Sequence, residues 1–180
     1  MSVLRLPAEL AAWAELAAAL VNTGPRETDP AEKLVGRAEL ERLLAECPEP
    51  PPPVRGGDLA AMRALRPGLR RAFEAGSLPE LAAALNPLLA RAATGWQLAP
   101  GGDGWALGPT GRAPLADWFG ARAARGLAEL AIAYGTERLH MCQADDCLRA
   151  VVDVSGNGTR RYCSRTCANR TNARRHRARR

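Results

Sequence analysis

The sequence predicts an α+β protein: a mainly helical N-terminal domain with one short β-hairpin, followed by a small zinc-bound β-hairpin–helix module. Three observations lead there. Apolar residues recur at spacings of three and four through most of the first 135 residues. Four of the five cysteines fall between Cys142 and Cys167. The basic excess sits at one end: residues 141–180 hold ten arginines against Asp145, Asp146 and Asp153, whereas residues 1–140 hold 15 basic and 16 acidic side chains.

A length of 180 residues fits one domain, or one domain plus a small module. With 47% hydrophobic and 24% charged residues, the chain is too apolar for wholesale disorder. No apolar run reaches the roughly eighteen residues that a bilayer span needs. The best candidate, Ala8 to Val21, carries Glu9 and Glu15 and follows no basic leader region, so a cytoplasmic location is expected.

The elements follow in order. Leu10, Trp13, Ala14, Leu16, Ala17 and Leu20 line one face of a first helix that closes at Asn22-Thr23-Gly24. Pro30 after Asp29 has the character of a first helical residue, and Leu34, Leu40, Leu43 and Leu44 extend a second helix to Cys47-Pro48. Five prolines and two glycines between residues 48 and 57 make an extended loop. A third helix is expected from Asp58 to Ala75, kinked at Pro67. Ser77-Leu78-Pro79-Glu80 has the form of a capping box opening a fourth helix, which Asn86-Pro87 should break or bend before Leu88 to Ala92. Trp96 to Ala99 and Trp105 to Leu107 flank Pro100-Gly101-Gly102-Asp103-Gly104, a hairpin signal. Pro114 starts the longest helix, with Leu115, Trp118, Phe119, Ala123, Leu127, Leu130, Ala131 and Tyr134 on its core face. The domains predicted are residues 1–137 and 138–180.

The cysteines read Cys142-x4-Cys147-x15-Cys163-x3-Cys167, two close pairs around an insert, which is the spacing of a structural zinc site. Each pair comes from one tight turn, and the insert must fold back to bring the second pair to the first. Residues 148–162 suit a hairpin: Leu148, Ala150, Val151, Val152 and Val154 are strand-like, Gly156-Asn157-Gly158 is a turn, and Thr159 to Tyr162 returns. Asp153, Ser155 and Asn157 are expected to shape that turn. Ser164 caps a helix that places Cys167 in its first turn. Two disulfides or free thiols are the alternatives, but a cytoplasmic setting disfavours disulfides, and about forty residues with few large apolar side chains need a staple. Four thiolates leave no open position, so one structural zinc is expected. His140 or His176 could replace a thiolate only if that shell were open. Cys47 stands alone before a proline and is assigned to packing.

The segment Arg138 to Arg180, RLHMCQADDCLRAVVDVSGNGTRRYCSRTCANRTNARRHRARR, resembles the bacterial CGNR zinc finger. The tetrad is Cys167-Ala168-Asn169-Arg170, with Ala168 where the family has glycine. Asp153-x-Ser155, the run Arg160-Arg161-Tyr162-Cys163-Ser164 and the ending Asn172-Ala173-Arg174-Arg175-His176-Arg177 also match. Upstream, Ala18-Ala19-Leu20-Val21-Asn22-Thr23 and Leu85-Asn86-Pro87-Leu88-Leu89 resemble the ABATE domain that precedes this finger. The resemblance implies a stress-responsive transcription regulator that binds DNA through the finger.

Arg160, Arg161, Arg165, Asn169, Arg170, Arg174, Arg175 and Arg177 are the candidate nucleic-acid contacts. Arg170, Arg174 and Arg177 repeat at i, i+4 and i+7, and arginine and asparagine match guanine and adenine edges. The same arginines could hold phosphates alone, and Asn169 and Arg170 serve equally well as hydrogen-bond donors around the metal site. RNA or an acidic protein partner satisfies the same charge, although Tyr162 is the finger's one ring for stacking. A module this small implies a homodimer formed through the helical domain, which could also sense a small-molecule effector. An enzyme is not expected: two histidines, both beside the cysteines, and a closed metal shell leave no acid–base pair.

Overall fold

The computed structural model describes residues 6–26, 29–91, 96–101, 104–109 and 113–178. Among them, six α-helices and four strands run α1 (Ala8–Asn22), α2 (Arg37–Leu44), α3 (Asp58–Glu74), α4 (Leu78–Arg91), β1 (Trp96–Gly101), β2 (Gly104–Pro109), α5 (Leu115–Tyr134), β3 (Leu139–Met141), β4 (Ala150–Val152) and α6 (Arg165–Ala178). This is the predicted class: a mostly helical body with one two-stranded hairpin, then a cysteine cluster with a helix behind it.

Helix α5 is the centre of the body because its residues are apolar on more than one face, and α1, α3 and α4 pack around it. Trp13 of α1 stands edge-on to Trp118 and Phe119 of α5, with ring centroids 5.2 and 5.6 Å away. The two helices touch backbone to backbone at Gly126, whose Cα faces Leu10 and Ala14. Helix α5 stops at Gly135, where φ is +95°, a conformation open to glycine.

Two helices differ from expectation. Residues 30–36 are not helical, and α2 is confined to Arg37–Leu44. Side chains from α3 satisfy the backbone there: Arg63 donates twice to the Leu34 carbonyl, at 2.6 and 3.0 Å. Glu32, clasped by both terminal nitrogens of Arg66, accepts from the Leu34 N–H. With these partners supplied, the segment gains nothing from a helical ladder. Helix α4, in turn, runs through Pro87 unbroken to Arg91. Pro87 and Ala83 both face solvent, so water can satisfy the carbonyl that loses its N–H. Residue 92 lies outside the described residues.

Strands β1 and β2 pair antiparallel from Trp96 opposite Pro109 to Gly101 opposite Gly104. The turn residues 102 and 103 lie outside the described residues. In the C-terminal module the strand pairing is not the expected one. Ala150–Val152 pairs antiparallel with Leu139–Met141, ahead of the first cysteine, and Thr159 to Tyr162 forms no strand. The reason is burial: Leu139, Ala150 and Val152 join the body's core, while Thr159 to Arg161 are exposed and polar. Among the described residues, no helix is long and apolar enough to cross a membrane.

Candidate metal centre and basic helix

The strand β4 has two jobs. Ala150 and Val152 pack on the helical body, while Val151 points the other way and packs with Cys142, Ala144 and Cys167. Period-two alternation thus joins the module to the body on one face and to the cysteines on the other.

Each cysteine is placed by a local backbone device. Cys142 follows β3, and its N–H donates to the Arg149 carbonyl at 2.8 Å, closing the first knuckle. Within that knuckle, the Cys147 N–H donates to Ala144 at 2.9 Å. Gln143 receives the returning chain through Arg161, N to O 3.0 Å. Ser164 then caps α6: its Oγ accepts from the Cys167 N–H at 3.2 Å, fixing Cys167 in the first turn as expected.

The four Sγ atoms lie within 4.8 Å of one another, and Cys163 is 3.6 Å from both Cys147 and Cys167. A disulfide needs about 2.05 Å between sulfurs, so no pair is bonded. A tetrahedron of sulfurs each about 2.3 Å from zinc has edges of about 3.8 Å, which the observed spacing fits. The site therefore suits a closed, structural zinc ion held by four thiolates. Burial pushes the Cys163 thiol up to about 12, and the neighbouring Cys147 and Cys167 thiols push in the same direction. The Cys163 N–H and the Arg170 guanidinium approach Cys142 and Cys167 sulfurs at 3.4 and 3.7 Å, donors of the kind that surround a metal-bound sulfur. Both ring nitrogens of His140 face backbone carbonyls, of Met141 and Arg160, at 2.9 and 2.8 Å. His176 is exposed on α6.

The loop after β4 is organised by a buried carboxylate. Asp153, 2% exposed, accepts from the Ser155 N–H (2.9 Å), the Ser155 hydroxyl (2.5 Å) and the Arg160 N–H (2.8 Å). Arg138 lies 3.8 Å away and also donates to the Ser155 carbonyl. Burial alone would raise the Asp153 carboxyl; the hydrogen bonds from Ser155 and Arg160, then the Arg138 charge, outweigh it and hold the group below the usual range. Its folded value being lowered, its stabilisation is complete above the unfolded value of about 4 and is lost as pH falls through the lower one. Asp153→Asn is expected to cost about 2 kcal/mol at neutral pH, with the gap to wild type closing in acid. Urea titrations of both proteins at several pH values check this; a gap that persists unchanged at low pH contradicts it.

The body grips the module through Asn22, at the end of α1. Its Nδ2 donates to the Ala150 carbonyl and its Oδ1 accepts from the Ala150 N–H, both at 2.9 Å. One amide thus stands in for a neighbouring strand along the free edge of β4. The sequence places Asn22 at a helix end and gives no sign of this clamp. Its helix-terminal position was visible, but the strand it meets is 128 residues away. Asn22→Ala leaves two buried strand groups unpaired and is expected to cost about 1–3 kcal/mol. Faster amide exchange at Ala150 is the readout, and unchanged protection there would refute the clamp.

The candidate nucleic-acid residues separate into two groups. Arg170 donates to Asp146 at 2.6 Å, and Arg174 lies 3.4 Å from Asp146 and 3.9 Å from Asp145. Arg160, exposed, donates to the Val152 and Cys163 carbonyls, each at 3.4 Å. Arg161, Arg165, Asn169, Arg175 and Arg177 are exposed, and among the described residues none has an acidic partner. Arg161 and Arg165 border an open cleft of about 370 Å³ with Tyr162, Ser164 and half-buried Ala168. Beyond buried Thr171, every residue of α6 from Asn172 to Arg177 is exposed. The pairing of Asp145 and Asp146 with α6 was missed; two adjacent acids inside the first knuckle and arginines four apart on the helix were the available signal.

The model of the family described as "Putative stress-induced transcription regulator", ABATE, matches residues 14–134. The chain belongs to the ABATE family. The CGNR zinc finger model matches residues 138–180. A search of the curated proteins finds no match. The ABATE region thus carries the helices around α5, and the CGNR finger carries the four cysteines, β3–β4 and α6. These are families of regulatory and zinc-finger type. Ala168, in place of the finger's namesake glycine, sits in regular helix where alanine is favoured.

Proposed function

We propose that this ABATE protein is a DNA-binding transcription regulator acting in the cytoplasm, whose CGNR finger meets duplex DNA with helix α6. The observation that carries the reading is a basic helix, exposed from Asn172 to Arg177, standing on a cysteine site suited to zinc. Cys142, Cys147, Cys163 and Cys167 are the ligands in this reading, and the metal supplies a rigid crosslink between the two knuckles. The chain's own residues do the rest. Ser164 and Val151 hold α6 to the knuckles, and the free arginines neutralise phosphates. The near-neutral ABATE region brings two fingers together as a homodimer, since one finger buries too little surface to bind tightly. A groove of about 530 Å³ between Pro50–Pro53, Trp118 and Arg122 supports effector sensing by the same region.

Electrophoretic shifts of zinc-loaded protein on duplex DNA across a salt series test the reading. Binding at about 50 mM salt that weakens with a log–log slope of several is expected. No binding at that salt, or binding insensitive to Arg161→Ala/Arg175→Ala/Arg177→Ala, overturns it.

A further inference from the structure

Resting on that reading, the geometry points to a base-reading face on α6 made of Arg165, Asn169, Asn172 and His176, with Arg170 and Arg174 excluded from it. The four residues recur at i, i+4, i+7 and i+11, which at 100° per residue confines them to an arc of about 60°. All four are exposed, and among the described residues none of their side chains has a hydrogen-bond partner. Cys167 and Thr171, both buried, lie on the opposite side of the helix and hold it to the knuckles. The stripe is therefore the part of α6 that a groove would meet first.

The arginine series that is most conspicuous in the sequence has another role. Arg170 and Arg174 lie about 130° and 170° round the helix from the middle of the stripe, on the knuckle side, and are tied to Asp146 and Asp145. A guanidinium drawn toward carboxylates on the knuckle side is turned away from the stripe, and its charge is partly offset there. One flank of the stripe carries Arg175 beyond Ala168, on the side of the cleft that Arg161 borders. Those two are placed to hold phosphates along one rim.

The chemistry of the stripe is specific. Asparagine pairs bidentately with the N6/N7 edge of adenine, arginine with the O6/N7 edge of guanine, and a histidine N–H can reach a purine acceptor. The stripe runs about 16 Å along the helix, close to five base-pair steps of about 3.4 Å. Asn169 and Asn172 are about 4.5 Å apart along the axis, near one step, and Arg165 lies about two steps before them. The target class is thus a purine-containing site of four to five base pairs per finger, with guanine toward the start of α6 and adenines at its middle.

Selection of bound sequences from a randomised duplex pool, using the zinc-loaded full chain, tests this. Wild type should enrich such a motif. Asn169→Ala/Asn172→Ala should lose preference at the adenine positions by about tenfold or more, with unchanged zinc content and unchanged salt slope on random duplex. Arg174→Ala should leave the motif as it is. The inference is overturned alone if duplex is bound with no enriched motif, if the double asparagine variant keeps the wild-type motif, or if Arg174→Ala abolishes it. A protein that binds no duplex, or that prefers structured RNA, overturns the DNA reading itself.

Discussion

Stripping the metal with a strong chelator is expected to unfold residues 142–178 while the helices around α5 stay folded. The knuckle module's own core consists of Cys142, Ala144, Val151 and Cys167, with Cys147, Tyr162 and Cys163 half-buried at its edge. So few apolar side chains cannot stabilise a segment of that size without a staple. A structural zinc contributes about 10–16 kcal/mol to folding and supplies that staple. Strand β4 is shared, so the loss should be graded. Ala150 and Val152 remain against the body and keep part of their protection, while Val151 loses its neighbours. Hydrogen exchange read peptide by peptide, with and without chelator, checks this; equal protection of α6 in both states contradicts it. The same loss should follow acidification. Cys163, raised by burial and by the adjacent thiols, holds its proton at neutral pH until a cation displaces it. Metal uptake is therefore expected to release protons, and affinity to fall as pH drops.

Gly126→Ala is expected to destabilise the helical body by about 2 kcal/mol or more. Helix propensity alone predicts the opposite, a gain of about 1 kcal/mol, because Gly126 lies inside α5. Space decides. A Cβ there would sit 2.6 Å from the Leu10 carbonyl oxygen, 2.8 Å from the Ala14 nitrogen and 2.9 Å from the Trp13 Cβ. These atoms are backbone or fixed to it, so they cannot turn aside as a side-chain tip can. The helices α1 and α5 must move apart, and overpacking of this kind costs about 1–3 kcal/mol, more where backbone must shift. The separation also loosens the edge-on contacts of Trp13 with Trp118 and Phe119. Gly68→Ala in α3 is the control, because its nearest neighbour is a Leu88 methyl at 3.6 Å, an ordinary contact. Thermal melts should show the first variant falling and the second holding or rising. A Gly126→Ala protein as stable as wild type would remove the close helix contact from the account.

Helix positions were legible where apolar spacing was regular and the segment long, as in α1, α3 and α5. They were misread where other parts of the chain intervene. Pro30 to Gly36 carries helix-like signals, yet Arg63 of α3 satisfies the Leu34 carbonyl and Glu32, held by Arg66, accepts from the Leu34 N–H, so the segment is not helical. Pro87 signals a break or a bend, yet its face is solvent-exposed and the helix continues without a break to Arg91. The four cysteines were legible because metal-ligand spacing is a local pattern. The strand partner of Ala150–Val152 was not, since alternation along one strand says which faces are apolar and not which strand lies beside it.

The sequence by itself determined the class of the protein, the grouping of four thiols and the concentration of arginine at one end. Those are properties of composition and short-range spacing, and they survive any arrangement in space. The tertiary structure decided which polar groups are already occupied. It assigned Asn22 to the edge of β4, Asp153 to its own loop, and Arg170 and Arg174 to Asp145 and Asp146. It left Arg165, Asn169, Asn172 and His176 facing outward without partners among the described residues. The physical reason is that a hydrogen bond or ion pair removes a side chain from the set available to a ligand, and such pairings link residues distant in sequence whose proximity only the folded chain creates.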